Sequence, residues 1–262
     1  MRIALNTVTL SREIAPDEAI KVAAQAGFTS VGLWYDRLAA LEEKAGSLDA
    51  VNDLDMRVEE ICFLGGWMWA TGEARENAMA ATEARAEMAA AVGSPMVIAC
   101  ASGGTGDPAQ AAKDFQAICD IGAKFGVVMA LEYIGAFEQY HDIKSGLELV
   151  RAADHPNGKL LIDVFHSFRG GTVVEDFKLP RGEEVGLVHI NDVPAGDIMQ
   201  MNDSHRVLPG EGVLPLREAI GYLGDNGYEG ALSVEVFSQG LWALPPAEVA
   251  QRAYETTAAL VR

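Results

Sequence analysis

Short runs dense in β-branched and other apolar residues alternate along the whole chain with longer, Ala-rich stretches of helical period. The runs that read as strands are RIALNTV (2–8), SVGLWY (30–35), RVEEICFL (57–64), PMVIACA (95–101), VVMALEYI (127–134), KLLIDVF (159–165), EVGLVHIND (184–192) and GALSVEVF (230–237). Between them lie helical stretches such as APDEAIKVAAQAG, where Pro16 and Asp17 suit a first turn and Gly27 a stop, and ARENAMAATEARAEMAAAVG, ended by Gly93. DPAQAAKDFQAICDIGAKFG, SGLELVRAAD, PLREAIGYLGDNG and PPAEVAQRAYETTAALVR continue the pattern. Strands joined by helical crossovers lie parallel, and eight such units close into an α/β fold, the (β/α)8 TIM barrel, without exposed edges. A doubly wound open sheet competes, but the glycine-rich turn it usually carries after its first strand is missing from NTVTLSRE. No linker or low-complexity segment interrupts the alternation, so residues 1–262 are expected to form a single (β/α)8 barrel domain.

Strand parity turns this fold into a site. Successive side chains in a strand point to opposite faces. In VVMALEYI, Val128, Ala130 and Glu132 therefore share one face, and the bulkier Val127, Met129 and Leu131 suit the face that meets helices. By the same argument Asp163 in KLLIDVF, His189 in EVGLVHIND and Glu235 in GALSVEVF point inward. Each of the last four strands thus offers one polar side chain near its C-terminal end, from strands about 4.8 Å apart, and barrel chemistry gathers at that end. Three carboxylates in one partly buried place cannot all stay ionised without a compensating positive charge. A divalent cation is the simplest one. Three carboxylates and an imidazole suit manganese best, with magnesium, cobalt or zinc as alternatives, whereas the thiolate ligands of a structural zinc are absent from this set.

Composition narrows the function further. The chain of 262 residues is 49% hydrophobic and carries a formal charge of −18, so contact with nucleic acid or an anionic membrane begins with repulsion. Cys62, Cys100 and Cys119 form an odd set without C-x-x-C spacing, which fits a reducing compartment, and all three read as small core residues. The start of the chain shows no basic and apolar leader and no apolar run reaches spanning length, so a soluble, cytoplasmic protein is expected. Trp34, Trp67 and Trp69 lie at or just beyond the second and third strands, where they either wall a pocket against the apolar face of a sugar or pack on helices. Arg169 beside Gly170-Gly171 is a loop arginine that a phosphate would suit, and His141, His155 and His205 sit in polar loops with no assigned role. The Trp242 and Pro245-Pro246 region is a candidate contact of a homo-oligomer.

Four segments resemble the sugar phosphate isomerase/epimerase superfamily with xylose isomerase-like barrels, which includes ketose 3-epimerases and inosose isomerases and dehydratases. LEYIGAFEQY resembles the segment bearing a metal-ligand Glu and, six residues on, a substrate-contacting Glu, here Glu132 and Glu138. LIDVFHSF resembles the D-x-x-H element, which implies Asp163 on the metal and His166 on the substrate. VHINDV resembles the segment with the histidine ligand, His189, and HRVLPGEG followed by GYEGALSVEVF the region with a substrate-contacting Arg and the last Glu ligand, Arg206 and Glu235. Where epimerases commonly have Asn-Arg before the second Glu, this chain has Gly135-Ala136 before Phe137-Glu138.

The resemblance implies proton abstraction next to the carbonyl of a sugar, ketose or inosose in carbohydrate metabolism, through an enediolate. Glu132 and Glu235 would serve as the acid/base pair while also holding the metal. Three rival readings share the barrel: a dehydratase of the inosose or 3-dehydroshikimate type, an apurinic endonuclease, which HINDV also resembles, and a non-catalytic metal-binding barrel. Five histidines and the negative charge speak against the endonuclease.

Overall fold

In the computed structural model, which describes residues 1–261, eight parallel strands follow one another around a closed barrel. They are β1 (Arg2–Asn6), β2 (Ser30–Trp34), β3 (Arg57–Leu64), β4 (Met96–Cys100), β5 (Val128–Glu132), β6 (Gly158–Asp163), β7 (Val185–Ile190) and β8 (Ala231–Val234). The helices are α1 (Pro16–Ala26), α2 (Tyr35–Ala45), α3 (Asp49–Asn52), α4 (Gly72–Ala91), α5 (Pro108–Lys124), α6 (Ile143–Ala153), α7 (Val164–Arg169), α8 (Leu216–Asp225), α9 (Gln239–Trp242) and α10 (Pro246–Val261). Every strand read from the sequence is present, most of them trimmed by one to three residues at the ends. Helix α2 lies outside the helical stretches read from the sequence, although Leu38 is buried and Tyr35, Ala39 and Leu41 pack beside it on the core at helical spacing.

The ends of α1 show how local chemistry sets these elements. Pro16 occupies the first turn, where its missing N–H costs nothing, and Gly27 closes the helix at φ +100 with the ring of Tyr254 packed over it. Helix α6 begins with a reciprocal cap in which Asp142 accepts from the Ser145 amide and Ser145 accepts from the Asp142 amide.

The parity argument holds in three dimensions. Ala130, Leu161, Leu187 and Ala231 fill the barrel interior with Ala4, Met96 and Ile98, while Leu131, Ile162, Val188 and Leu232 pack outward against the helices. Burying one such Leu or Ile stabilises the fold by about 1.5–3 kcal/mol, which makes a one-residue slip of register prohibitive. Register then lines up the polar residues: Cys100 pairs with Glu132, Asp163 with His189, and Ile190 with Val234. The amide of Glu235 donates to the Ile190 carbonyl at 3.2 Å, carrying β8 one step further. Glu132, Asp163, His189 and Glu235 therefore finish their strands at one end of the barrel. No helix among the described residues is long and apolar enough to cross a membrane.

Candidate metal centre

At the C-terminal mouth, one ligand atom from each of Glu132, Asp163, His189 and Glu235 lies within 4.8 Å of all the others. His189 Nδ1 is 3.2 Å from Glu235 Oε2, 3.6 Å from Glu132 Oε1 and 3.9 Å from Asp163 Oδ2. All four residues are buried, yet Nδ1 has no hydrogen-bond partner. A buried imidazole nitrogen without a partner, facing three carboxylates, is a donor set that fits a divalent cation of mixed oxygen and nitrogen preference.

The side chains of this cluster are held from behind. Asp163 caps α7 by accepting the His166 amide at 2.9 Å, and it receives Asn191 Nδ2 at 3.2 Å. The other ring nitrogen of His189, Nε2, lies 2.6 Å from Glu60 Oε2 on β3. Glu60 in turn accepts from Ser233 Oγ at 2.7 Å and from Asn6 Nδ2 at 3.2 Å, and the same Asn6 amide reaches Glu235 Oε1 at 3.3 Å. Arg206, 1% exposed, donates to Asp163 at 2.8 Å, to Glu235 at 3.1 Å and to Asp203 at 2.5 Å. Its Nη2 also donates to His166 Nε2 at 3.1 Å, so the His166 proton belongs on Nδ1, a buried donor without a protein partner.

The charges follow from this packing. Burial alone would raise the Asp163 carboxyl, but Arg206, His189 and the hydrogen bond from the His166 amide outweigh it and hold Asp163 below the ordinary carboxylate value. Burial lifts Glu235 above its ordinary value, with the nearby Glu132 charge adding to the effect against the pull of His189 and Arg206. Burial also depresses His166, which keeps its ring neutral against the attraction of Asp163. For His189 the burial penalty is overcome by Glu235 and Glu60, and in the metal-free cluster its imidazolium is strongly favoured.

Above the cluster opens a cavity of about 460 Å³ with Glu132, Glu235, His166 and Arg206 on its floor. Trp34, Phe137 and Phe237 form its walls, and the Trp34 indole donates to Asn6 Oδ1 at 2.8 Å. Of the two settings left open for Trp34, it takes the one beside the cavity.

Two expected substrate contacts lie elsewhere. Trp67 is fully buried and packs on Phe115 with ring centroids 5.7 Å apart, so it belongs to the core between barrel and helices. Glu138 is exposed and accepts the Gly104 amide at 2.7 Å; the turn closed by Ile134 and Tyr140 puts Phe137 in the cavity in its place. Trp69 stacks on Tyr140, and Arg169 donates to the Met201 carbonyl at 2.8 Å. Glu211 pairs with Arg252 and not with Arg206. The cysteine expectation holds for two of the three. Cys119 and Cys62 are core residues, Cys62 at the top of the barrel interior beneath the mouth cavity, whereas Cys100 is only partly buried there and its thiol donates to Glu132 Oε2 at 3.0 Å. Burial and the Glu132 charge push the Cys100 thiol well up, which leaves it protonated. Glu60 and Cys62 share the inward face of β3 beyond the break in its register with β2 between Val31 and Gly32.

A closed parallel barrel with a carboxylate and imidazole cluster at its C-terminal mouth defines a (β/α)8 barrel with a candidate metal centre. Residues 20–260 match the xylose isomerase-like TIM barrel family, and the chain belongs to that family. It is 32% identical over 151 residues to the inosose isomerase of Bacillus velezensis, an alignment covering 55% of this chain and 52% of that protein. The chain thus spans about half the length of the inosose isomerases it matches. With the 3-dehydroshikimate dehydratase of Pseudomonas aeruginosa it shares 28% identity over 255 residues, 94% of this chain and 39% of that protein. The crystal structure of the IOLI protein with a zinc atom superposes with a TM-score of 0.92 at 22% identity, over 100% of this chain and 98% of that one. The D-psicose 3-epimerase of Clostridium cellulolyticum H10, solved with D-tagatose, gives 0.78 at 16% identity, over 100% of both chains. At these identities the structural likeness establishes the fold alone.

Proposed function

We propose that the chain is a divalent-metal-dependent isomerase that moves a proton next to the carbonyl of a neutral, polyhydroxylated substrate of the inosose or ketose class. The observation that carries this reading is the convergence of Glu132, Asp163, His189 and Glu235 on one buried point beneath an open cavity. These four would hold the metal, manganese by preference, with magnesium, cobalt or zinc able to use the same donors. When bound, it supplies Lewis-acid polarisation of the carbonyl and its adjacent hydroxyl.

The chain's own residues account for the rest. Glu132 on β5 and Glu235 after β8 reach the floor from separated strands, so one carboxylate takes the carbon-bound proton and the other returns it. Glu235, whose affinity for a proton is raised, is suited to give one up to the substrate. The unpaired Nδ1–H of His166 donates to a substrate oxygen. Arg206 keeps Asp163 ionised in a dry site and also donates to Glu235. Trp34 and Phe237 cover an apolar ring face and exclude water. Charge favours an uncharged substrate: Glu60, Glu132, Asp163 and Glu235 stand against Arg206 and a divalent ion, and the balance is already negative. The match to inosose isomerases supports the same substrate class.

A dehydratase reading rests on the 3-dehydroshikimate dehydratase match, which runs over 94% of the chain. Both reactions begin with the same proton abstraction and differ in whether a β-hydroxyl leaves. The test is incubation of the metal-loaded protein in deuterated water with inososes, ketoses and 3-dehydroshikimate, followed by NMR and ultraviolet absorbance. Deuterium at the carbon next to the carbonyl, with an isomerised product, is expected for wild type and lost in Glu132→Gln and Glu235→Gln. Water loss with a conjugated enone and no isomer would transfer the protein to the dehydratases. Tight metal binding without exchange on any substrate would overturn both.

A further inference from the structure

We propose that Glu60 is the positioning residue for His189, fixing which ring nitrogen faces the three carboxylates, and that Gly32 is glycine in order to make room for it. The inference rests on the metal-centre reading above and extends it to two residues that touch neither the ligand point nor the substrate.

Glu60 is completely buried on β3, a location that is costly for a carboxylate unless every oxygen is answered. Here both are. Oε1 takes Ser233 Oγ and Asn6 Nδ2, and Oε2 takes His189 Nε2 and, more distantly, Cys62 Sγ at 3.6 Å. No Lys or Arg is among these partners, so Glu60 is not half of an ordinary ion pair. A carboxylate at 2.6 Å requires a hydrogen on Nε2, which reserves Nδ1 for the point where Glu132, Asp163 and Glu235 meet. A carboxylate behind the far nitrogen is the arrangement that orients a metal-ligating imidazole and raises its donor strength.

Gly32 supplies an independent observation. It stands opposite Glu60 in the β2–β3 register, with its neighbours Val31 and Leu33 packed outward. A Cβ built at Gly32 would fall on the carboxylate of Glu60. Its backbone is not in the left-handed region, so conformational freedom does not explain the glycine. The missing side chain is space, and the Glu60 carboxylate fills it.

The test compares Co²⁺ binding by wild type, Glu60→Ala, Glu60→Asp, Glu60→Gln and Gly32→Ala, using titration calorimetry and the visible absorption spectrum of the ion. Thermal melts of each metal-free protein run alongside. All four ligands are retained throughout. Glu60→Ala is expected to weaken binding by about 10- to 100-fold and to alter the spectrum. Glu60→Asp, whose carboxylate is withdrawn by one methylene, should do the same and provides the reading if the alanine variant does not fold. Gly32→Ala should move in the same direction, because its methyl displaces Glu60. Glu60→Gln, whose carbonyl still accepts from Nε2, should restore most of the affinity. If Glu60→Asp and Gly32→Ala melt at lower temperature yet bind Co²⁺ like wild type with an unchanged spectrum, Glu60 is merely structural and the inference is wrong. Binding by Glu60→Gln as weak as by Glu60→Asp would also overturn it, since orientation would not be the operative property. A wild type that binds no Co²⁺ would overturn the metal centre together with this inference.

Discussion

Arg206 and Asp163 form a fully buried ion pair across the mouth of the barrel, Nη1 to Oδ2 at 2.8 Å, and the same Nη1 reaches Glu235 at 3.1 Å. One guanidinium therefore serves two carboxylates of the candidate centre while its Nη2 engages His166 and Asp203. A lysine ammonium cannot span that set, because it lacks the planar fork. Arg206→Gln is expected to reduce proton exchange on the substrate on the order of 10²-fold. In the metal-free protein it should also lower stability by about 3–5 kcal/mol, by leaving Asp163 and Glu235 without their cation. Arg206→Lys should fall between the two. Deuterium incorporation rates and denaturant melts measure both effects, and a glutamine variant with wild-type exchange would show that Arg206 is only a tie between loops.

The mouth residues were legible in the sequence where strand parity governs them. Glu132, Asp163, His189 and Glu235 follow apolar runs whose bulky positions declare the helix-facing side, and register brings their ends together. Glu60 was not legible in the same way. Glu59 and Glu60 are adjacent in RVEEICFL at a shift of register that pairs Val31 with Val58 and Gly32 with Glu60, so simple alternation breaks at Glu59, which meets Arg2 and Arg57, while Glu60 meets His189. The pattern of residue types does not announce such a bulge. Loop side chains were the least readable: Glu138 and Phe137 are neighbours, and only the turn after Gly135 decides that the aromatic ring takes the cavity.

Metal uptake should be coupled to release of a proton from His189. Burial opposes the imidazolium, but Glu235 and Glu60 outweigh it and raise its pKa well above the ordinary histidine value. Any ion bound at Nδ1 must displace that proton. Below the raised pKa, apparent affinity is expected to weaken by about tenfold for each unit of falling pH, and above it to level off. Stability of the metal-free protein should run the other way. A raised pKa contributes stability that is complete below the unfolded value and lost as pH rises through the folded one. Calorimetry of Mn²⁺ binding in two buffers of different ionisation enthalpy counts the protons released. Release of none across the neutral range would show that His189 is not a ligand.

Trp34 and Trp67 should separate cleanly in mutagenesis. Trp34 lines the cavity, and its ring meets Phe63 and Phe237 edge-on at centroid distances of 5.8 Å and 6.0 Å. Trp34→Ala removes a wall against the substrate and is expected to raise KM several-fold, about 1 kcal/mol of apolar contact. Trp67 is enclosed in the core, where Trp67→Phe leaves a void costing about 1–3 kcal/mol, partly offset by removal of its unpaired Nε1–H. Its KM should remain at the wild-type value while its melting temperature falls. A raised KM in Trp67→Phe would place that ring in the substrate's path after all.

The loop that carries Arg206 is organised by Asp192, two residues beyond the end of β7. The Asp192 backbone exchanges both hydrogen bonds with Val207, and its carboxylate accepts the amides of Val193 and Leu214 at 2.9 Å, Gly212 at 3.0 Å and Gly210 at 3.1 Å. Gly212 has no side chain where one would strike that carboxylate and the Val193 carbonyl. Asp192→Asn keeps the shape but turns an NH2 group toward two of the four amides, at about 1.5–3 kcal/mol for each charged hydrogen bond lost. The staple then loosens on one side. We expect faster amide exchange confined to residues 206–214 and a roughly tenfold lower turnover, because Arg206 would no longer be held between Asp163 and Glu235. Hydrogen-exchange mass spectrometry with steady-state kinetics reads both quantities. Lower turnover with unaltered exchange in that segment would mean that Asp192 acts by its charge and not by holding the loop.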